Sequence, residues 1–255
     1  MKRLYKAAGT VAVADGHGVT LDGRLAKTPA KRDLIVPTLA LAAAVAEEWS
    51  SQQEEIRPAT MRLNRLAGAA IDRTPTQREA IVRQVAGYAG TDLVCYRAAR
   101  PPTLAARQHA VWQPLIDWAK ARYAAPLVAT DGVIPASQPA ASLEAFAAAV
   151  AEYDEFALTA LHAATAACGS LVIALALHEG HLDAAAAFAA SQLDESFQIE
   201  AWGEDAEEAQ RRAALALDIA AAARFMALLR GEPAISSHPL RMGTSARSPP
   251  RSAVH

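Results

Sequence analysis

The sequence predicts an α+β fold in which a small antiparallel sheet near the N-terminus is followed by a mostly helical region. Short alternating apolar segments with Gly-containing turns occupy residues 3–36, which is typical of hairpins. Helical apolar periodicity follows, and alanine supplies much of the 52% hydrophobic composition, which favours helix. We expect an N-terminal α+β domain over residues 1–95, a helical domain over 96–231 and a disordered tail over 232–255.

The expected sheet begins with a hairpin. Residues 11–13 and 19–21 carry alternating apolar side chains on either side of the segment 15–18. We interpret the glycines at positions 16, 18 and 23 as turn residues, because glycine adopts positive φ without steric cost. Residues 34–36 form a third short apolar segment, which Pro37 ends.

The first helices carry recognisable start signals. Thr38 is a candidate N-cap, and Leu41, Val45 and Trp49 follow at helical spacing. We therefore expect Trp49 to hold this helix on the small sheet. Residues 74–77 read Thr-Pro-Thr-Gln, which predicts a capping box with proline at the first helical position.

The segment 157–177 carries no charged residue and approaches the length of a membrane span. It is rich in alanine, contains polar residues and has acidic flanks, so a buried helix broken near Gly169-Ser170 is the better interpretation. We expect no membrane insertion. Cys95 and Cys168 lie in apolar segments and are predicted to be buried thiols rather than a disulfide, which favours a reducing compartment.

The chemistry-bearing motifs of common enzyme classes are missing from the sequence. The net charge of −2 excludes the basic excess that nucleic-acid binding needs. The chain contains no Gly-Lys dipeptide, and thus no phosphate-binding loop of the GxxxxGK type. His178 and His181 lack the zincin spacing, and His162 lies among apolar residues. We therefore predict no cofactor, no metal and no catalytic residue.

The most distinctive polar segment is the acidic and aromatic stretch 193–208, in which Phe197 and Trp202 lie among many carboxylates. One interpretation is a solvated helix face followed by a helix N-terminus, where acids are favourable. The other is a binding surface with aromatic anchors and acidic specificity groups. The residues alone leave both open.

Several strings resemble the assembly chaperones for the alpha subunit of the ATP synthase F(1) sector. No single string is diagnostic, but their shared order from about residue 3 to about residue 230 is specific. The strings are Leu21-Asp22-Gly23-Arg24, Lys27-Thr28-Pro29, Val36-Pro37-Thr38, Ala46-Glu47-Glu48-Trp49, Ile56-Arg57-Pro58-Ala59-Thr60-Met61, Ala70-Ile71-Asp72-Arg73, Tyr88-Ala89, Thr91-Asp92-Leu93, Cys95-Tyr96-Arg97, Gly169-Ser170-Leu171-Val172, Leu193-Asp194-Glu195, Gln198 and Trp202-Gly203.

The resemblance implies a bacterial, cytoplasmic chaperone, monomeric when free, that is not an enzyme. It would bind the unassembled alpha subunit and shield its interface until the beta subunit replaces it. The family's acidic functional position aligns with Glu207. The expected partner-binding residues are Glu207, Glu195, Asp205, Trp202 and Gln198, and the expected structural residues are Trp49, Arg57 and Asp72.

Two other classes of function stay open. A hydrolase-like enzyme could use scattered His and Asp side chains in a cleft between the two domains, since convergent sites leave no local signature. A helical scaffold for another complex would also fit the composition. Copurification separates the three, because only the chaperone should retain the alpha subunit.

Overall fold

A computed structural model of the chain describes residues 2–132 and 136–231. The strands within these residues are β1 Ala8–Val13, β2 Gly16–Leu21, β3 Arg24–Leu25, β4 Ile35–Val36, β5 Tyr96–Arg97 and β6 Thr130–Asp131. The helices within them are α1 Leu39–Ser50, α2 Arg62–Asp72, α3 Thr74–Gly87, α4 Pro102–Tyr123, α5 Ala140–Ala151, α6 Glu155–Cys168, α7 Leu171–His178, α8 Ala184–Ser191, α9 Leu193–Trp202 and α10 Ala206–Leu229.

The N-terminal sheet is antiparallel, as the sequence predicts. Strand β2 lies at its centre, with β1 on one edge and both β3 and β4 on the other. Residues Val13 and Gly16 face each other, so a two-residue turn joins β1 to β2. The predicted α+β class with a helical C-terminal region is confirmed.

The interpretation of Gly18 as a turn residue is wrong. Gly18 lies inside β2, opposite Val11 on one side and Ile35 on the other. A Cβ atom at this position would lie 2.3 Å from Leu25 Cδ2. Position 18 therefore favours glycine, because the side chain of Leu25 occupies the space that a Cβ atom would need.

Helix α1 covers the sheet through its apolar stripe. The Thr38 hydroxyl accepts a hydrogen bond from the Leu41 N–H at 3.1 Å, which confirms the predicted N-cap. Leu41 and Val45 are fully buried. Trp49, at the end of the stripe, is only half-buried. Its side chain contacts Asn64 of α2 and Tyr5 of the N-terminal segment.

The predicted capping box at residues 74–77 does not form. The Thr74 hydroxyl is buried and lies 2.6 Å from the hydroxyl of Thr159 on α6. Gln77 has non-helical dihedrals, and its side-chain oxygen accepts a bond from Arg73. The Thr74 hydroxyl, which the local motif predicts to cap the helix, instead forms a hydrogen bond with Thr159, which lies far along the chain.

The long apolar segment is divided where the sequence predicts. Gly169 ends α6 in the left-handed region at φ 65°, and the Ser170 hydroxyl caps α7 by accepting from the Ile173 N–H. The buried carboxylate of Asp92 accepts from the N–H groups of Leu171 and Val172 at 2.8 and 3.1 Å. Burial raises the pKa of Asp92 to about 6, against the lowering effect of these hydrogen bonds.

The buried core runs through both predicted domains as one apolar cluster, from Val19 to Leu228. Helix α6 packs against α2 and α3 from the first region and against α10 from the last. The boundary at residues 95/96 stays a prediction, and the expected tail over 232–255 lies outside the described residues. Across the described ranges, no helix is both long and apolar enough to cross a membrane.

Candidate functional site

The acidic and aromatic stretch forms a helix–turn–helix corner. Helix α9 ends at Trp202, and Gly203 follows with φ 84°, a conformation that favours glycine. Asp205 is the N-cap of α10, and its Oδ1 accepts a hydrogen bond from the Glu208 N–H at 2.8 Å. The corner thus fixes the exit of α9 and the first turn of α10.

Many of the acids in this stretch have partners within the molecule. Glu200 forms two hydrogen bonds with Arg107 of α4, at 2.7 and 3.0 Å. These contacts anchor the corner to the helical region. The other such contacts are Asp194 with Gln108, Glu204 with Arg212 and Glu208 with Arg211.

The sequence did not reveal these contacts. Arg107 is 93 residues from Glu200, so no local spacing joins the two residues. Only the pair Glu208–Arg211, three residues apart on one helix, follows a spacing that could have been found.

Four of the predicted partner-binding residues form what we call the acidic surface: Glu195, Gln198, Trp202 and Glu207. The three on α9 share one helix face by their spacing. Trp202 is 81% exposed, and Gln198 and Glu207 are exposed. Among the described residues Glu207 has no hydrogen-bond or ion-pair partner.

Glu195 of the acidic surface lies near Arg211, the arginine that forms an ion pair with Glu208 on α10. The pKa of Arg211 is raised mainly because its guanidinium donates a hydrogen bond to the Glu208 carboxylate. The negative charge of the half-buried Glu195 adds to this effect. Arg211 lies four residues after Glu207 on α10, a spacing that places both residues on the same side of the helix. The fifth predicted residue, Asp205, has the capping contact described above.

The predicted structural residues differ in their contacts. Asp72 joins the end of α2 to the loop before β4, because its carboxylate accepts bonds from the Thr28 hydroxyl at 2.7 Å and from the Ala30 N–H at 3.0 Å. The backbone N–H of Arg57 donates to the Gln52 side chain at 2.7 Å, while the Arg57 residue is exposed.

His181 and the two cysteines have contacts or burial that do not involve the acidic surface. His181 stacks on Trp118 with ring centroids 5.0 Å apart. Cys95 and Cys168 are buried free thiols, as expected, and burial raises the pKa of each to about 12. Within residues 2–132 and 136–231 no group of three or more His, Cys, Asp or Glu side chains could hold a metal ion.

Comparison with known proteins identifies the family. The model of the ATP12 chaperone protein family matches residues 2–120. The crystal structure of Atp12 from Paracoccus denitrificans is 42% identical, with a TM-score of 0.85, and the match covers 90% of this chain and 98% of that one. The chain belongs to the ATP12 chaperone family.

Two further structures agree with this assignment. An Asp-to-Lys mutant of Atp12p from P. denitrificans is 41% identical over the same shares of both chains, with a TM-score of 0.85. A candidate chaperone from Agrobacterium tumefaciens is 38% identical with a TM-score of 0.84, over 88% of this chain and 85% of that one. The family recognised in the sequence strings is confirmed, and with it a chaperone role in ATP synthase assembly.

Proposed function

We propose that this ATP12 family member binds the unassembled alpha subunit of the ATP synthase F(1) sector through the acidic surface. It covers the face of alpha that beta later occupies, and beta displaces it by mass action. The role needs no catalysis and no nucleotide, and we place it in the bacterial cytoplasm.

The observation that carries the proposal is an exposed tryptophan at the end of one helix, followed across a turn by a carboxylate that has no partner in the described chain. Trp202 is 81% exposed, although a tryptophan side chain gains much by burial. Tryptophan is also enriched among the residues that dominate binding energy at interfaces. Glu207 lies just beyond the turn that follows Trp202 and has no partner in the described chain. Together they supply an apolar anchor and a charge that selects a basic partner surface.

A surface of this kind suits a chaperone that must release its client. An unassembled subunit exposes an apolar interface that promotes aggregation. A contact with polar and charged groups around one anchor covers that interface without becoming permanent.

Capture of purified alpha subunit by the immobilised chaperone tests the proposal. We expect wild type to retain alpha. Glu207→Lys should weaken capture at least about tenfold, because like charges then meet at the interface, and Glu195→Lys should weaken it less. Both variants should melt like wild type, since the replaced carboxylates hold no hydrogen bond of the fold.

Glu144→Lys is the matched control, because Glu144 is an exposed acid on α5, away from the acidic surface. Equal capture by wild type, Glu207→Lys and Glu144→Lys would remove Glu207 from the binding site. Failure of wild type to capture alpha would refute the proposed client.

A further inference from the structure

A second surface of opposite charge lies between α2, α6 and α10. A groove of 550 Å³ opens there. Its floor is apolar and mostly half-buried. The floor residues are Leu66 and Ala69 of α2, Ala163, Ala166 and Ala167 of α6, and Leu215 and Ala221 of α10.

One wall of the groove is strongly basic. Arg62, Arg65 and Arg73 recur at intervals of three and eight residues along α2 and its C-terminal cap, and all three line the groove. Such spacing places them along one side of the helix. We call this groove, with its three arginines, the basic groove.

Two of these charges are not neutralised by the fold. Arg62 forms an ion pair with Asp218 of α10 at 2.8 Å. Arg73 donates from Nε to Gln77, which is a neutral amide. Arg65 is exposed, and its guanidinium has no hydrogen-bond or ion-pair partner within the described ranges. The basic groove therefore carries a net positive charge beside apolar surface.

His162, which also lines the basic groove, does not add to this charge at neutral pH. Burial, with a further contribution from the positive charge of Arg73, lowers the pKa of His162. The imidazole is therefore neutral, and the arginines alone determine the electrostatic preference of the groove.

The chemistry of the groove selects its occupant. Guanidinium groups bind carboxylates through paired N–H donors, and an apolar floor between helices accepts the apolar face of another helix. A nucleic acid would place its charged phosphates against the apolar floor of alanine and leucine side chains. The chain also lacks the excess of basic residues that nucleic-acid binding needs. An acidic amphipathic helix satisfies both the floor and the wall.

The basic groove and the acidic surface lie along one side of α10. Glu207 and Asp218 are eleven residues apart on this helix, which is about three turns and roughly 16 Å. Both residues are exposed. A single client can therefore contact both surfaces.

We propose that one client contacts both surfaces. A basic segment of the client contacts the acidic surface, and an acidic amphipathic segment of the same client binds in the basic groove. This inference rests on the proposed chaperone function. Two contacts of opposite sign would fix the orientation of the client, because a reversed orientation sets like charges against each other at both ends.

Site-directed crosslinking tests the contact in the complex. Ala166 is exposed on the groove floor, whereas Cys95 and Cys168 are buried, so Ala166→Cys takes a thiol-specific benzophenone label selectively. We expect the label to crosslink to a client segment with Asp or Glu beside apolar residues at helical spacing. Crosslinks to a segment without acids, or none from captured client, would overturn the proposal.

A peptide test works even if the client is another protein. The probe is an 18-residue amphipathic helical peptide with leucines on one face and flanking glutamates, and its counterpart carries lysines instead. We expect the acidic peptide to bind at least about tenfold tighter in fluorescence anisotropy, and the double variant Arg65→Glu with Arg73→Glu to abolish this preference.

The control for the peptide test is Arg83→Glu, because Arg83 is an exposed arginine on α3 outside the groove. It should leave the preference unchanged. Equal binding of both peptides to wild type, or an unchanged preference in the double variant, would refute the basic groove as a site. If wild type fails to capture alpha, only the proposed function is refuted. The peptide binding experiment still tests whether the basic groove binds an acidic amphipathic helix.

Discussion

Replacing Trp49 by arginine should destabilise the fold, whereas the same change at Trp202 should not. The Trp49 indole donates from Nε1 to Asn64 Oδ1 at 2.9 Å. Its ring meets the Tyr5 ring edge-on with centroids 5.6 Å apart. The Trp49 carbonyl accepts from the Tyr5 hydroxyl at 2.7 Å. The side chain therefore ties α1 to both α2 and the N-terminal segment.

The magnitude follows from these contacts. Losing the indole hydrogen bond costs about 1 kcal/mol, and losing the aromatic pair costs about 0.5–1.5 kcal/mol. Removing a fully buried tryptophan side chain costs about 3–5 kcal/mol. For the half-buried ring of Trp49 we expect roughly half of that free energy. Because these contributions overlap, we expect a total of about 3–4 kcal/mol, or a decrease in Tm of roughly 10 °C for a chain of this size.

Thermal unfolding followed by circular dichroism measures this difference. Trp49→Phe keeps an aromatic ring against Tyr5 and should cost only about 1 kcal/mol for the lost hydrogen bond. Trp202→Arg should melt like wild type and lose capture of the alpha subunit. If Trp49→Arg melts within about 2 °C of wild type, less than 1 kcal/mol has been lost and the assignment of Trp49 as a structural residue is wrong.

Three further predictions concern the sheet, a buried acid and nucleotides. Gly18→Ala should cost about 1–3 kcal/mol in chemical unfolding, because its Cβ would meet Leu25; Gly87→Ala, with open space around its Cβ, should not destabilise, and equal effects would contradict the steric explanation. The pKa of Asp92 is raised from 3.8 to about 6 in the native state. Between these pH values the native state therefore binds more protons than the unfolded state, so the contribution of Asp92 to stability should fall as pH rises from about 4 to about 6. In urea unfolding, Asp92→Asn should lack that part of the pH dependence. Identical pH profiles of stability for Asp92→Asn and wild type would exclude this role of Asp92. Calorimetry should detect no ATP binding at micromolar concentration, since the sequence has no phosphate loop, and a micromolar dissociation constant would refute this.

The features that local signals determine were predictable. The Thr38 cap and the division at Gly169-Ser170 each depend on residues within four positions of one another, and both are present. These predictions required no knowledge of distant partners.

The features that failed or were missed depend on contacts between distant segments. Thr74 fits a capping motif, yet its hydroxyl pairs with Thr159, 85 residues away. Gly18 fits a turn, yet its size is set by Leu25 packing across β2 and β3. The basic groove needs α2, α6 and α10 together, and no linear spacing joins residues 62, 162 and 218.

The position of α10 has a consequence for how the protein is made. Its C-terminal half buries Ile219, Phe225 and Met226, and the Leu228 carbonyl accepts a bond from the Thr38 hydroxyl, 190 residues earlier. Until α10 leaves the ribosome, the apolar faces of α1 and α6 that it covers stay open to water. The growing chain is then itself a partly folded protein with an exposed interface, prone to the aggregation that assembly chaperones prevent in others.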